Sequence, residues 1–178
     1  MALACGWALP AGAGAAPSPA PSHVLDGASP AIVSLGPMAL ARDGTGGLVY
    51  LKQVGGVAHV FVSRIVAGVF QGPEQVDATL PTASSQPVIA AAGGGLLAVA
   101  FINSGSLLAV TRAGAASPYT APLTLAAGAS NPALAMTIFG KAYLAFTASG
   151  AGRHNVRAAY FARGSWAIEP SPLDAQPG

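Results

Sequence analysis

The stretch QPVIAAAGGGLLAVAFI, residues 86–102, contains no charged residue and consists mostly of Ala, Val, Leu, Ile and Gly. A helix that crosses a membrane needs about 20 consecutive apolar residues. This run is shorter, and three consecutive glycines, Gly93 to Gly95, interrupt it. Glycine destabilises the interior of a helix but suits a tight turn. We therefore interpret the stretch as two adjacent β-strands joined by a glycine turn, and we predict no membrane span.

The composition of the whole chain restricts the class of protein. The 178 residues are enough for one domain with a hydrophobic core. Only 8% of the residues are charged, against roughly 25% in an average soluble domain. Disordered chains are rich in charge and poor in apolar residues, and a soluble helical protein needs charged residues on its solvent side. The remaining classes are a membrane protein and an all-β protein whose sheets are covered on both faces.

Charge and metal-ligating residues exclude several partners. Eight Lys and Arg residues face six Asp and Glu residues, and the cations are scattered rather than clustered. Because nucleic-acid binding needs a clustered basic surface, we predict no nucleic-acid partner. The chain has one cysteine, and its three histidines, His23, His59 and His154, are far apart. We therefore predict no internal disulfide, no metal site and no cofactor.

Residues 1–22 have the parts of a secretion signal without its positively charged start. An apolar stretch, Ala2 to Leu9, is followed by the small residues Ala13 to Ala16 and by a Pro- and Ser-rich segment. We predict a secreted or extracytoplasmic protein; the alternative is a low-complexity leader. Cys5 lies too close to the first residue for a normal lipoprotein anchor. Residues 23–36 are a linker or the start of the first repeat.

A repeat of 45 to 50 residues organises the rest of the chain. Similar segments begin at Pro37, Pro87 and Pro132. Each contains a glycine, a β-like run of seven residues (LVYLKQV, LLAVAFI and KAYLAFT), a turn, and a second β-like run that ends at an arginine. An aromatic residue, a proline and a last predicted strand follow. The first copy carries a two-residue insertion before its glycine, which we expect to preserve the alternation of faces. The arginines are Arg64, Arg112 and Arg163, and the aromatic residues are Phe70, Tyr119 and Trp166.

Each repeat is interpreted as four short strands joined by tight turns, because turn signals recur every 8 to 12 residues. A four-stranded unit of this length is typical of a β-propeller blade. The sequence therefore predicts an all-β fold of three four-stranded antiparallel blades, at residues 37–86, 87–131 and 132–176. Pro177 lies 45 residues after Pro132, where a fourth unit would open. We expect the ring to be partial and the chain to be a fragment, completed by missing C-terminal blades or by another copy of the chain.

The layout resembles the sialidase-like BNR, or Asp-box, β-propeller repeat proteins. Their motif, Ser-x-Asp-x-Gly-x-x-Trp, lies between the third and fourth strands of a blade. The corresponding segments here are SRIVAGVF (63–70), TRAGAASPY (111–119) and ARGSW (162–166). They keep a Ser, Thr or Ala, a Gly and an aromatic residue, but all three lack the Asp. In sialidases an arginine cluster binds the substrate carboxylate, a Tyr with a nearby Glu is the nucleophile, and an Asp acts on water or the leaving group. No residue of this chain matches a motif from which one of these roles could be transferred. We therefore predict no catalytic residue.

The candidate ligand-binding residues are the arginine and the aromatic residue of each repeat. They are Arg64, Arg112, Arg163, Phe70, Tyr119 and Trp166. The alternative for each arginine is a solvated turn, or stacking on the following aromatic ring. The alternative for each aromatic residue is hydrophobic packing. Asp43 suits an Asx-turn, and we expect the carboxylates of Glu74 and Asp77 to be solvent-exposed.

The predicted function is binding or display by an exported, non-catalytic propeller segment, with a glycan or a cell-envelope protein as ligand. Two alternatives stay open. One is a fragment of a sialidase-like glycoside hydrolase, which would bring a Tyr–Glu pair and an acid to one end of the central channel. The other is a structural repeat module of a larger exported protein.

Overall fold

The structure, a computed structural model, describes residues 24–150 and 153–174. The predicted leader, residues 1–22, lies outside the described residues. Within the described ranges the chain forms three antiparallel β-sheets and no α-helix. No helix in this part of the chain is long and apolar enough to cross a bilayer. The predicted all-β fold, with three sheets that each follow a path of four strands, is confirmed.

In each sheet, consecutive strands lie side by side. Sheet A contains β1 (Ile32–Leu40), β2 (Gly46–Val54), β3 (Val57–Val66) and β4 (Val69–Phe70), and β5 (Glu74–Gln75) also pairs with β3. Sheet B contains β6 (Ser84–Ala92), β7 (Leu96–Asn103), β8 (Ser106–Arg112) and β9 (Leu123–Ala127). Sheet C contains β10 (Ala129–Met136), β11 (Ala142–Gly150), β12 (Arg153–Ala162) and β13 (Ser165–Ile168).

The uncharged stretch at residues 86–102 folds as predicted. It covers most of β6 and β7, and residues Gly93–Gly95 form the turn between them. Gly94 and Gly95 have φ angles of 76° and 78°, which other residues adopt at a cost. A Cβ atom on Gly95 would also lie 2.7 Å from the backbone nitrogen of Ala115. The glycines are therefore required for both the turn and the close approach of the neighbouring loop.

The prolines that mark the repeats lie inside the first strands, and the strands begin before them. β1, β6 and β10 start three to five residues upstream of Pro37, Pro87 and Pro132. At each proline the pairing with the second strand shifts by one residue, which is a β-bulge. Proline has no N–H to donate and is tolerated in a strand at such a bulge. Gln86 and Asn131, which precede two of the prolines, have φ angles of 51° and 52°.

The three sheets are stacked in the order A, B, C. One core lies between sheets A and B, and a second lies between sheets B and C. Sheet B is therefore covered on both faces, which explains its continuous apolar strands. The first strands of neighbouring sheets are also in contact, β1 with β6 and β6 with β10.

Equivalent residues of the second strand lie on opposite faces of the sheet in the first repeat and in the other two. The sequence alignment matches Val49 with Leu97 and Ala142. In the structure Val49 faces sheet B, the next sheet in the stack, whereas Leu97 and Ala142 face the preceding sheet. The two-residue insertion before Gly47 preserves the alternation of faces as expected, because Ala39 and Val49 lie on one face, as Ile89 and Leu97 do in the second repeat. The difference arises earlier, at a second register shift of β1 between Ile32 and Ser34.

The last predicted strand follows its proline in two of the three sheets, where β5 begins after Pro73 and β9 after Pro122. Pairing at this edge begins earlier, at the aromatic residue. Phe70 lies in β4 and Trp166 lies in β13, while Tyr119 forms an isolated bridge with Arg112 ahead of β9. In sheet C the fourth strand ends before Pro170, where we had expected it to begin. Proline lacks a backbone N–H and interrupts the ladder, so the prediction placed this strand too late.

Candidate functional site

Three turns, one from each sheet, meet at one end of the stack. They connect β1 to β2, β6 to β7 and β10 to β11. A cavity of about 400 Å³ lies between them, and we call it the upper cavity. Its lining includes Leu40, Arg42, Asp43, Gly93, Met136 and Ile138. The repeats therefore converge on one concave surface.

Asp43 fixes one wall of the upper cavity. Its carboxylate accepts hydrogen bonds from Thr45 Oγ1 at 2.6 Å, from Thr45 N at 3.0 Å and from Gly94 N at 2.6 Å. The contact with Thr45 N is the Asx-turn geometry expected from the sequence. Thr45 Oγ1 in turn accepts a hydrogen bond from Gly95 N at 3.2 Å. These bonds tie the first turn of sheet A to the glycine turn of sheet B.

The same donors set the acidity of Asp43. Hydrogen bonds from the Thr45 side chain and from the backbone of Gly94 and Thr45 favour the charged form and lower its pKa to about 2. We expect NMR titration of the side-chain carboxyl carbon to give a midpoint near pH 2, with Asp43→Asn identifying the resonance. Since the pKa of Asp43 is lower in the folded chain, its hydrogen bonds to Thr45 and Gly94 contribute to stability above the unfolded pKa of about 3.9. This contribution is lost as the pH falls towards 2. A midpoint near pH 4 would show that the Asp43 carboxylate does not form these hydrogen bonds.

Arg42 is the one cationic side chain among the residues that line the upper cavity. It is exposed and makes no hydrogen bond or ion pair with any residue in the described ranges. Its neighbours in the lining, Leu40, Met136 and Ile138, are apolar. Because the carboxylate of Asp43 is already bonded to Thr45 and Gly94, the guanidinium group of Arg42 keeps its donors available for an anion.

Two of the predicted binding arginines meet between sheets A and B. Nε of Arg64 donates to Oε1 of Glu74, and Arg112 Nη1 lies 3.1 Å from Glu74 Oε2. Arg112 also donates to the carbonyl oxygens of Gly114 at 3.1 Å and Ala115 at 2.8 Å. Glu74 is therefore half-buried between two cations, not a free solvent charge as the sequence suggested. The donors of Arg112 are used within the protein, which favours a structural role.

Tyr119 completes this cluster. The guanidinium carbon of Arg112 lies 5.3 Å from the centre of its ring, the stacking that the sequence offered as an alternative to ligand binding. Burial raises the pKa of the Tyr119 hydroxyl, and the nearby Glu74 carboxylate raises it further. The hydroxyl is buried and has no hydrogen-bond partner among the described residues. Tyr119 therefore acts as packing between the arginine and the core.

The other candidate residues do not join this cluster. Arg163 is exposed in the turn after β12, with a φ angle of 53°. Trp166 packs on Phe161, with ring centroids 5.5 Å apart. Phe70 is half-buried opposite Ile65. Arg64, Arg112 and Arg163, which the repeat treats as equivalent, thus occupy different positions in their sheets.

A buried polar group, which the sequence did not predict, lies at the opposite end of the stack. Asp77, predicted to be exposed, is fully buried. Its carboxylate accepts a hydrogen bond from Ser84 Oγ at 2.6 Å and lies 3.2 Å from His59 Nδ1. Asn103 Nδ2 donates to Ser84 Oγ at 3.1 Å. The serine bonds to the aspartate and not to the histidine, so this is not the arrangement of a serine hydrolase; it links sheets A and B.

Comparison of the sequence with protein families and curated proteins identifies no relative. No protein-family model matches the chain, and no curated protein is significantly similar to it in sequence. The resemblance to BNR repeats therefore stays a prediction. Among the residues that the structure describes, no group of three His, Cys, Asp or Glu side chains could hold a metal ion.

Proposed function

We propose that the chain is an exported, non-catalytic segment of a β-propeller and that it binds its ligand in the upper cavity. The observation that carries this proposal is the convergence of one turn from each sheet on a single cavity that contains an unpaired arginine. The stacked meanders, whose first strands are in contact, support the propeller arrangement. The leader-like residues 1–22 support export.

The cavity suits a ligand that has an acidic group beside an apolar one. Arg42 supplies a charge-assisted donor, and Leu40, Met136 and Ile138 supply aliphatic surface. Sugar hydroxyls need several polar partners, and few polar side chains line this cavity. We therefore favour an acidic, aliphatic segment of a cell-envelope protein over a glycan.

The carboxylates of the site favour binding over hydrolysis. A glycoside hydrolase needs two carboxyl groups on either side of the bond that it cleaves, one of them protonated. Asp43 is the one carboxylate among the lining residues, and its pKa of about 2 keeps it ionised at neutral pH. Glu74 is neutralised by Arg64 and Arg112.

The test compares two arginine variants. An array of hexapeptides that combine Asp or Glu with Leu, Ile or Phe, printed beside a glycan array, identifies a bound peptide, and fluorescence anisotropy with that peptide measures Kd. We expect Arg42→Gln to weaken binding about 10- to 100-fold, because a hydrogen bond to a charged group contributes about 1.5–3 kcal/mol. Arg163→Gln, which changes an exposed arginine outside the cavity lining, should leave Kd unchanged.

Two results would contradict the proposal. One is an equal Kd for the wild-type chain and Arg42→Gln, which would place the ligand elsewhere. The other is retention on the glycan array without retention of any peptide, which would replace the proposed ligand class. Hydrolysis of a fluorogenic sialoside by the chain would favour the alternative of a hydrolase.

A further inference from the structure

The packing of sheets B and C shows how one sheet accepts the next. We call the face of each sheet that points from A towards C its forward face, and the opposite one its rear face. The forward face of sheet B presents the small residues Ala98, Ala100 and Ala109 beside the larger Ile102 and Leu107. The rear face of sheet C inserts larger side chains, such as Leu144 and Phe146. Large residues that face small ones across the interface allow close interdigitation.

The forward face of sheet C has no partner among the described residues. Its register places Ala145, Ala158, Tyr143 and Tyr160 together, and Tyr143 is 50% exposed. Lys141 Nζ lies 5.0 Å and 5.5 Å from the centres of the two tyrosine rings. This surface combines small residues, as in sheet B, with two aromatic side chains that extend from it.

The rear face of sheet A offers larger residues and a cavity. Tyr50 stacks on Phe61 with ring centroids 5.8 Å apart, is only 3% exposed and donates to Asp26 Oδ2 at 2.7 Å. The exposed part of this face is apolar and includes Leu35, which is 72% exposed. A cavity of about 160 Å³ lies beside Tyr50, Leu35 and Leu48. Asp26 borders it, and its carboxylate is paired with Lys52 Nζ at 2.7 Å. This surface can receive an aromatic side chain from a facing sheet.

We propose that the forward face of sheet C docks on the rear face of sheet A in a second copy of this chain, so that two copies close a ring of six sheets. This inference rests on the proposed propeller arrangement and not on the upper cavity. Propellers close with four to eight blades, and each copy contributes three sheets. Two copies of the three described sheets make six, which falls in this range.

The second copy is favoured because the contact continues the packing already present inside the chain. Sheet C on sheet A repeats the forward-to-rear contact of A with B and of B with C. Sheet C on another sheet C would instead bring two Lys141 side chains together, and like charges at an interface are unfavourable. The contact is heterologous, since different surfaces meet, and a heterologous contact that closes gives a ring.

The test measures the mass of the chain in solution and then blocks one face at a time. We expect native mass spectrometry and light scattering to give about twice the chain mass of 17.4 kDa. Ala145→Arg blocks the forward face of sheet C, and Leu35→Arg blocks the rear face of sheet A. Each variant alone should be a folded monomer by circular dichroism. Phe139→Arg, at a turn residue that is 90% exposed, is the control and should remain a dimer.

Mixing the two blocked variants gives the decisive result. The mixture retains one intact pair of surfaces, the forward face of Leu35→Arg and the rear face of Ala145→Arg, so it should form a 1:1 heterodimer. A monomeric wild-type chain, or a mixture that stays monomeric, overturns the inference. If Ala145→Arg does not fold, Tyr143→Arg blocks the same face. A monomeric wild-type chain that still binds the peptide would refute this inference alone, whereas unchanged Kd in Arg42→Gln would refute only the proposed ligand site.

Discussion

Replacing Asp77 with alanine is expected to lower the free energy of unfolding by about 3–5 kcal/mol. The carboxylate is fully buried. It accepts a hydrogen bond from Ser84 Oγ at 2.6 Å and lies 3.2 Å from Nδ1 of His59. Both of these groups are also buried, so the substitution leaves them without their partner and away from water. An unsatisfied buried polar group is far more costly than the loss of an exposed one.

Urea denaturation followed by circular dichroism measures this loss. Asp174→Ala, at an exposed position of the same residue type, is the matched control and should change the free energy of unfolding by less than about 0.5 kcal/mol. Asp77→Asn keeps the shape and one acceptor, so it should fall between the two. Equal midpoints for Asp77→Ala and Asp174→Ala would show that this polar group does not hold sheets A and B together.

Local signals were sufficient to predict the central strands of each sheet and the glycine turn between β6 and β7. The glycines at Gly93 to Gly95 separate two apolar runs, and the structure turns at the same residues. The low charge content indicated sheets covered on both faces, and sheet B has that environment. These features depend on composition and on neighbours in the chain, which the sequence displays directly.

The phase of a strand depends on contacts that the sequence does not display. Pro37, Pro87 and Pro132 are at bulges, where a strand continues past a residue that would otherwise interrupt it. The second register shift in β1 then reverses the face of Val49 relative to its counterparts. A one-residue shift exchanges the two faces of a strand, so equal spacing along the chain did not guarantee equal orientation.

The site was harder to predict than the fold. Arg64 and Arg112 were chosen for their place in the repeat, yet Glu74, which was expected in solvent, pairs with both. Arg42 was not among the predicted binding residues, because a cavity between three sheets can be recognised only when their stacking is known. The signal was present in the turns that follow the three first strands, which recur with the repeat.

Replacing Phe101 with alanine is expected to cost about 3–5 kcal/mol of unfolding free energy. The ring is fully buried in the core between sheets A and B. Its removal loses the transfer free energy of the ring and leaves a cavity that closely packed strands cannot fill. Phe101→Leu retains most of the volume and should cost less than half as much. Phe139→Ala removes the same side chain from an exposed turn and is the matched control.

The shape of the urea unfolding transition shows whether the three sheets unfold together. Phe101 belongs to the core between A and B, and Leu144 to the core between B and C. If the three sheets unfold together, Phe101→Ala and Leu144→Ala each shift one cooperative transition and leave its denaturant slope unchanged. If each sheet is held by its neighbour alone, as in repeat proteins, Phe101→Ala would release sheet A first and divide the transition in two. We expect a single transition, because sheet B contributes to both cores; a divided one would contradict the proposal that the sheets form one propeller segment.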